Sequence, residues 1–362
     1  MRVGYILLFS VIVINLIPIT LYLPKQSYQQ TPPPSELILS TRDFFNLGTG
    51  AQTELGKNNS IAIANFHLNS SNCSDKLAVY VHGVWAEEEE AKEQYNRLRD
   101  SYQEALKAID PAIQPMQIVL YSWDSNTAFD IWGNGWRIAK DIADKNGQFL
   151  ANSILKLSND CNSNLGIHII AHSLGARVVL NALNDLNNTN FKLESVHLMG
   201  AAVDDEEVSK NPNDNRNSRY DDGVVYGDAI ENHVNKFYNL YNPEDDMLER
   251  VDVEEQRTDV QTNIYPSYEE DDALGSWGLQ NSSVNETDIP SNYNETNVKD
   301  VILAINDANG DQACDIFRFH CIISSTINGD NHLGYMGFRD SISKHIVGRG
   351  VLDIVAVNWT LS

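Results

Sequence analysis

The chain has 362 residues, 42% of them hydrophobic, which suits one large α/β domain or two small ones; ordinary glycine and proline content excludes a fibrous chain. Its formal net charge of -24 sets the surface against phosphate backbones, so nucleic acid is excluded as a partner class.

Residues Val3 to Leu23 form one apolar run behind Arg2. A bilayer-spanning helix needs about 20 such residues, and the leading positive charge predicts an amino terminus in the cytoplasm with the rest outside. Residues 1–24 therefore read as a signal-anchor, a membrane partner in themselves. A cleaved signal peptide is the rival, disfavoured because no A-x-A-like site follows and Asn15 and Pro18 interrupt the run. Either reading sends the chain outside the cell. N-x-[ST] sequons at Asn58, Asn69, Asn72, Asn187, Asn281, Asn285, Asn294 and Asn358 agree with export, as do four cysteines, an even number. The absence of a C-x-x-C pair argues against zinc. Residues 25–50, with Pro32-Pro33-Pro34, read as an extended linker, leaving 51–362 as the domain.

Ser60 to Leu68 alternates loosely and reads as an early strand. Lys76 to His82 is a short run of β-formers ending at Gly83, as expected of a buried parallel strand. Ala91, Tyr95, Leu98, Tyr102, Leu106 and Ile109 share one helical face, with Glu87 to Glu90 at its amino end. Met116 to Asp124 is the next strand. A long helical stretch from Trp132 to Leu157 follows, with Gly147 a candidate break. Leu165 to Ala171 is a strand and Ala176 to Leu186 a helix; Ser195 to Met199 and Val234 to Tyr241 are further strands. This alternation predicts a mostly parallel sheet covered on both faces. Asp204 to Glu231 and a segment at about 249–300 read as acidic insertions, the second a possible lid.

Ala171-His172-Ser173-Leu174-Gly175 stands between a predicted strand and a predicted helix. It is the nucleophile-elbow pattern G-x-S-x-G with alanine first; small residues are needed where strand and helix close on the turn. The turn lifts a serine hydroxyl above the sheet and aims the following amides at one point. His82-Gly83-Val84-Trp85, at the end of an earlier strand, is placed to supply a second oxyanion donor beside Leu174: Val84 first, Trp85 second. The His82 and His172 rings read as structural. A serine needs a base. His320 lies in a predicted strand (Phe317 to Ile323) and His345 in a predicted surface helix (Ser341 to Ile346), whereas His332 lies in a turn-rich loop that offers an exposed imidazole. The orienting acid should follow Lys236 to Tyr241, where Asp245 and Asp246 both qualify, Glu244 is third and Asp204 a distant fourth.

Ser173, His82-Gly83, Asp245 and His332 in this chain order resemble the α/β-hydrolase superfamily. Tyr121-Ser-Trp-Asp124, Ala171 to Gly175, Asn242 to Leu248 and His332-Leu-Gly-Tyr335 resemble a lipase/esterase-like branch of it. The D-x-x-L pattern of that branch matches Asp245 to Leu248, which favours Asp245 over Asp246. The resemblance implies an α/β-hydrolase fold, a Ser173–Asp245–His332 triad and an acyl-enzyme route to hydrolysis of small or lipid-like esters, with no cofactor. An amidase or thioesterase would use the same residues, and a non-catalytic binding or adhesion module on a hydrolase scaffold is the rival class. In this fold the strands carrying the oxyanion loop and the elbow are adjacent and parallel. Cys73 and Cys161, each four residues before the leucine that starts one of them, are therefore expected to pair, leaving Cys314 with Cys321. Asp307, Asn309 and Asp311 space oxygen ligands as calcium loops do, but without a bidentate glutamate a solvated acidic turn is the preferred reading.

Overall fold

The structure, a computed structural model, describes residues 36–68, 73–128, 134–161, 165–214, 224–245, 247–248, 272–279, 284–302, 332–339 and 345–361. Val3 to Leu23, Asp246, Asp307, Asn309, Asp311, Cys314, His320 and Cys321 lie outside these. Among the described residues no helix is long and apolar enough to cross a membrane.

Among the described residues eight strands make the central sheet: β1 (Ile38–Ser40), β2 (Ile63–Ala64), β3 (Lys76–Val81), β4 (Gln117–Ser122), β5 (Gly166–His172), β6 (Leu193–Met199), β7 (Val234–Tyr241) and β8 (Tyr293–Asn297). They lie in the order β2-β1-β4-β3-β5-β6-β7-β8, and every neighbouring pair except β1/β2 is parallel. The chain leaves β3 for β4 on one side and returns to β5 on the other. The carboxyl ends of β3 and β5 thus flank a topological switch point, where a crevice opens in sheets of this kind.

Alternation along β3 divides the core. After the short α1 (Glu54–Lys57), the longer helices pack on the sheet: Leu77, Val79 and Val81 face a cluster built with α3 (Asn134–Asp160) and α4 (Gly175–Asp185). Ala78 and Tyr80 face α2 (Glu88–Ile109) and the last helix, Leu352–Thr360. A one-residue slip would exchange the two faces, so the register of β3 is fixed by both cores. Cys73 and Cys161 form a disulfide with Cα atoms 5.8 Å apart, which joins the entry to β3 with the end of α3.

Several expectations need correction. Residues 36–50 are not linker. β1 inserts beside β4, and Asp43 and Phe45 donate their amides to the Asp124 carboxylate at 3.0 and 2.8 Å. Its short apolar triplet carries too little periodicity to stand out from the polar chain around it. α3 is not broken at Gly147. A Cβ there would lie 2.5 Å from Asn181 Cβ, so the glycine lets α3 and α4 approach closely. Gly147→Ala is therefore expected to destabilise by about 1–3 kcal/mol despite alanine's better helix propensity, read as a lower urea midpoint at unchanged slope. The segment at about 249–300 is not all lid. Its described part holds a short helix, Leu274–Trp277, whose Leu274 carbonyl accepts from Asn239 Nδ2 at 2.9 Å, and β8, a strand of the main sheet. The start of the other acidic insertion is packed into the domain: Asp204 to Glu207 are buried, and Glu207 pairs with Arg177 of α4 at 2.8 Å. Finally, His345 precedes a short strand, Ile346–Gly348, rather than sitting in a helix.

Beneath the last helix, His168, Ser195 and His197 form a buried polar line. His168 Nδ1 lies 2.8 Å from Ser195 Oγ, Trp359 Nε1 donates to that oxygen at 3.1 Å, and Asn358 Nδ2 lies 3.2 Å from His197 Nε2. Burial pushes His168 down to about 4, helped by Lys76, and His197 down to about 3, helped by His168. Both rings are neutral when folded and take up protons near pH 6.5 when unfolded. Their contribution is present above that value and is lost as pH falls from about 6.5 toward 4 for His168 and toward 3 for His197. The urea midpoint is expected to drop between pH 7 and pH 5, and His197→Gln to drop less.

Candidate active site

β5 ends at His172, and Ser173 follows with φ of 54°, a left-handed conformation that costs a serine strain. The turn is held where its neighbours reach it: Ser173 N donates to Met199 O at 3.1 Å, and Ala202 N donates to Ser173 O at 3.2 Å. A Cβ on Gly175 would lie 2.6 Å from the carbonyl oxygens of Val81 and His82, and one on Gly83 would lie 2.8 Å from Ser173 Cβ. Both glycines are therefore dictated by the packing of the β3 loop against the elbow.

Asp245 is fully buried after β7, and His332 is 7% exposed. His332 Nδ1 lies 2.9 and 2.8 Å from the two Asp245 carboxylate oxygens. A carboxylate only accepts, so Nδ1 carries a proton, and whenever the ring is neutral Nε2 is the nitrogen that can accept one. The carboxylate is oriented further by the Met247 amide at 3.1 Å and the Tyr335 hydroxyl at 3.2 Å. His332 is thus clamped rather than exposed, contrary to the sequence expectation. Its carbonyl accepts from His172 Nε2 at 2.7 Å, and the two rings are 4.6 Å apart. Burial first, and repulsion from His332 second, hold His172 neutral, far below the ordinary histidine value. The Ser173 hydroxyl does not hydrogen-bond the His332 ring here; such contacts often close only around bound substrate.

Of the two amides expected to face an oxyanion, one follows Ser173 in the chain and the other follows Gly83, which packs on Ser173. Leu174 is the residue before α4, and Val84 is half-buried in the β3 loop. Neither has a backbone acceptor among the described residues. The alternative, Trp85, is excluded by its own geometry: its amide donates to Ser125 O at 2.9 Å, and its φ is 56°. Of the other candidate acids that the structure describes, Glu244 pairs with Lys299, and it is the Asp245 carboxylate that His332 Nδ1 meets.

Three contributors escaped the sequence reading. Arg42, from the supposed linker, reaches the β3 loop. Tyr335 braces the acid, and its place three residues after His332 is the signal that would have found it. His172 ties the histidine loop to the elbow. Among the described residues no group of three or more His, Cys, Asp or Glu side chains is arranged to hold a metal ion.

A strained serine at the switch point of a parallel sheet, with a carboxylate–imidazole pair on the following loops, defines an α/β hydrolase. Residues 60–252, more than half the chain, match the model of a family described as an alpha/beta hydrolase of unknown function (DUF900), and the chain belongs to it. Curated proteins give no match. Among solved structures, a Trichoderma reesei cutinase in complex with a C11Y4 phosphonate inhibitor is similar at 19% identity and a TM-score of 0.26, over 37% of this chain and 55% of the cutinase. Phospholipase PlaB from Legionella pneumophila is similar at 14% identity and a TM-score of 0.28, over 50% of this chain and 41% of the phospholipase.

Proposed function

We propose that this protein is a serine hydrolase of carboxylic esters, working through an acyl-enzyme on Ser173. The observation that carries the reading is the His332 Nδ1–Asp245 pair at 2.8 Å, which fixes the tautomer a base requires. His332 Nε2 takes the Ser173 proton as Oγ attacks the ester carbonyl, and the Leu174 and Val84 amides hold the resulting oxyanion. His332 then returns the proton to the leaving alcohol. Water, activated by the same imidazole, releases the acid. We place the protein outside the cell, on the apolar Val3 to Leu23 run and on the Cys73–Cys161 disulfide, a bond that persists in oxidising compartments. The test is turnover on p-nitrophenyl esters of graded chain length beside matched thioesters and anilides. Ester turnover that exceeds both supports the reading. Preferential thioester or anilide turnover reassigns the leaving group, and no turnover on any of them favours a binding module.

A further inference from the structure

The β3 loop carries an arrangement that the triad does not use. His82 is fully buried at the end of β3. Its Nδ1 lies 2.8 Å from the Gly83 carbonyl oxygen. A carbonyl only accepts, so Nδ1 bears the proton. Its Nε2 lies 3.1 Å from the Trp123 amide and 3.1 Å from Arg42 Nη2, both donors, as the same tautomer demands. Burial first, and the Arg42 charge second, push His82 well below the ordinary histidine value, so the ring stays in this one form. Arg42 is itself spread over three pieces of the site: its Nε donates to Ser122 Oγ at 2.9 Å and its Nη1 to Ala86 O at 3.0 Å. Trp123 closes the unit from the other side, its Nε1 donating to His82 O at 2.8 Å.

The Gly83–Val84 peptide is trans and planar, so its C=O and N–H point in opposite directions. Fixing Gly83 O on the His82 ring therefore turns the Val84 N–H away from that ring. Gly83 meanwhile packs on Ser173, where a Cβ would stand 3.3 Å from Oγ. We propose that Arg42 and His82 are positioning residues: Arg42 and the Trp123 amide set the tautomer of His82, and His82 sets the orientation of the peptide that presents the Val84 oxyanion donor. The inference rests on the proposed hydrolase reading and deepens it. Arg42 lies outside the segment matched by the family model, so this chain completes the device from the turn after its first strand.

The two halves of the His82 ring can be replaced separately. His82→Asn keeps a donor near the Nδ1 position and loses the acceptor, whereas His82→Gln keeps an acceptor near Nε2 and loses the donor. Each is measured for kcat and KM on the best ester, for affinity of a trifluoromethyl ketone whose adduct carries the oxyanion, and for thermal midpoint. His82→Gln is expected to lower kcat by roughly 10- to 100-fold, less than the roughly 10²- to 10³-fold loss of an outright oxyanion donor, with KM little changed and ketone affinity falling in parallel. His82→Asn is expected to stay closer to wild type, and Arg42→Met to fall between them. Equal kcat for His82→Asn and His82→Gln, or loss that appears in KM alone, overturns the relay. Should both His82 variants fail to fold, Arg42→Met decides, and unchanged kcat and ketone affinity overturn it. Wild type that neither turns over esters nor reacts at Ser173 overturns the hydrolase reading instead, a distinct result.

Discussion

Ser173→Ala is expected to lower kcat on the best ester by about 10⁴-fold or more, equivalent to at least roughly 5 kcal/mol of transition-state stabilisation. Without Oγ no acyl-enzyme forms, and the amides of Leu174 and Val84 are left to act on water alone. The substitution should also relieve little strain, because alanine retains the Cβ that makes a φ of 54° unfavourable. The variant should therefore fold with a thermal midpoint near wild type. Loss of activity with preserved folding separates a chemical role from a structural one, and steady-state kinetics beside a melting curve is the check.

Asp245→Asn should cost roughly 10³- to 10⁴-fold in kcat through the proton it misplaces. The carboxamide of this variant has one oxygen where the carboxylate now accepts at two, from the Met247 amide at Oδ1 and from the Tyr335 hydroxyl at Oδ2, so it keeps only one of these donors. Its NH₂ would then face His332 Nδ1, which would have to become an acceptor. Nε2 would carry the proton instead and could no longer take one from Ser173. Because the carboxylate sits 2.8 Å from Nδ1 and is wholly buried, the variant also loses a charge partner for the imidazolium that forms in the reaction. Asp246→Asn serves as the neighbouring control and is expected to cost far less. Equal losses at the two positions would contradict the assignment of Asp245, and kcat against pH on both variants would show it.

The parallel sheet and the elbow were legible because each is written in contiguous residues, whereas the Cys73–Cys161 pairing, 88 residues apart, followed from the fold that the resemblance implied. Lys76 to Val81 and Gly166 to Ala171 are doubly buried strands that read as apolar runs, and the small residues around Ser173 mark a turn with no room beside it. The chain order of acid and histidine pointed to Asp245 and His332, whose side chains lie 2.8 Å apart. What was not legible depends on distance in space alone. Arg42 lies 40 residues before His82, and nothing local to Thr41-Arg42-Asp43 announces a guanidinium against the ring at the end of β3. The Trp85 amide is engaged by one carbonyl, Ser125 O, a contact with no sequence signature. β8 looked like insertion because its exposed edge face is polar, Tyr-Asn-Glu-Thr-Asn, where a central strand would be apolar.

The most direct measurement is fluorophosphonate labelling of the folded full-length protein, followed by intact mass and peptide mapping. A phosphonylated Ser173, formed in step with loss of ester turnover, absent from Ser173→Ala and slowed in Asp245→Asn, is the predicted result. Folded protein that takes up no label at Ser173 and turns over no ester, thioester or anilide would contradict it.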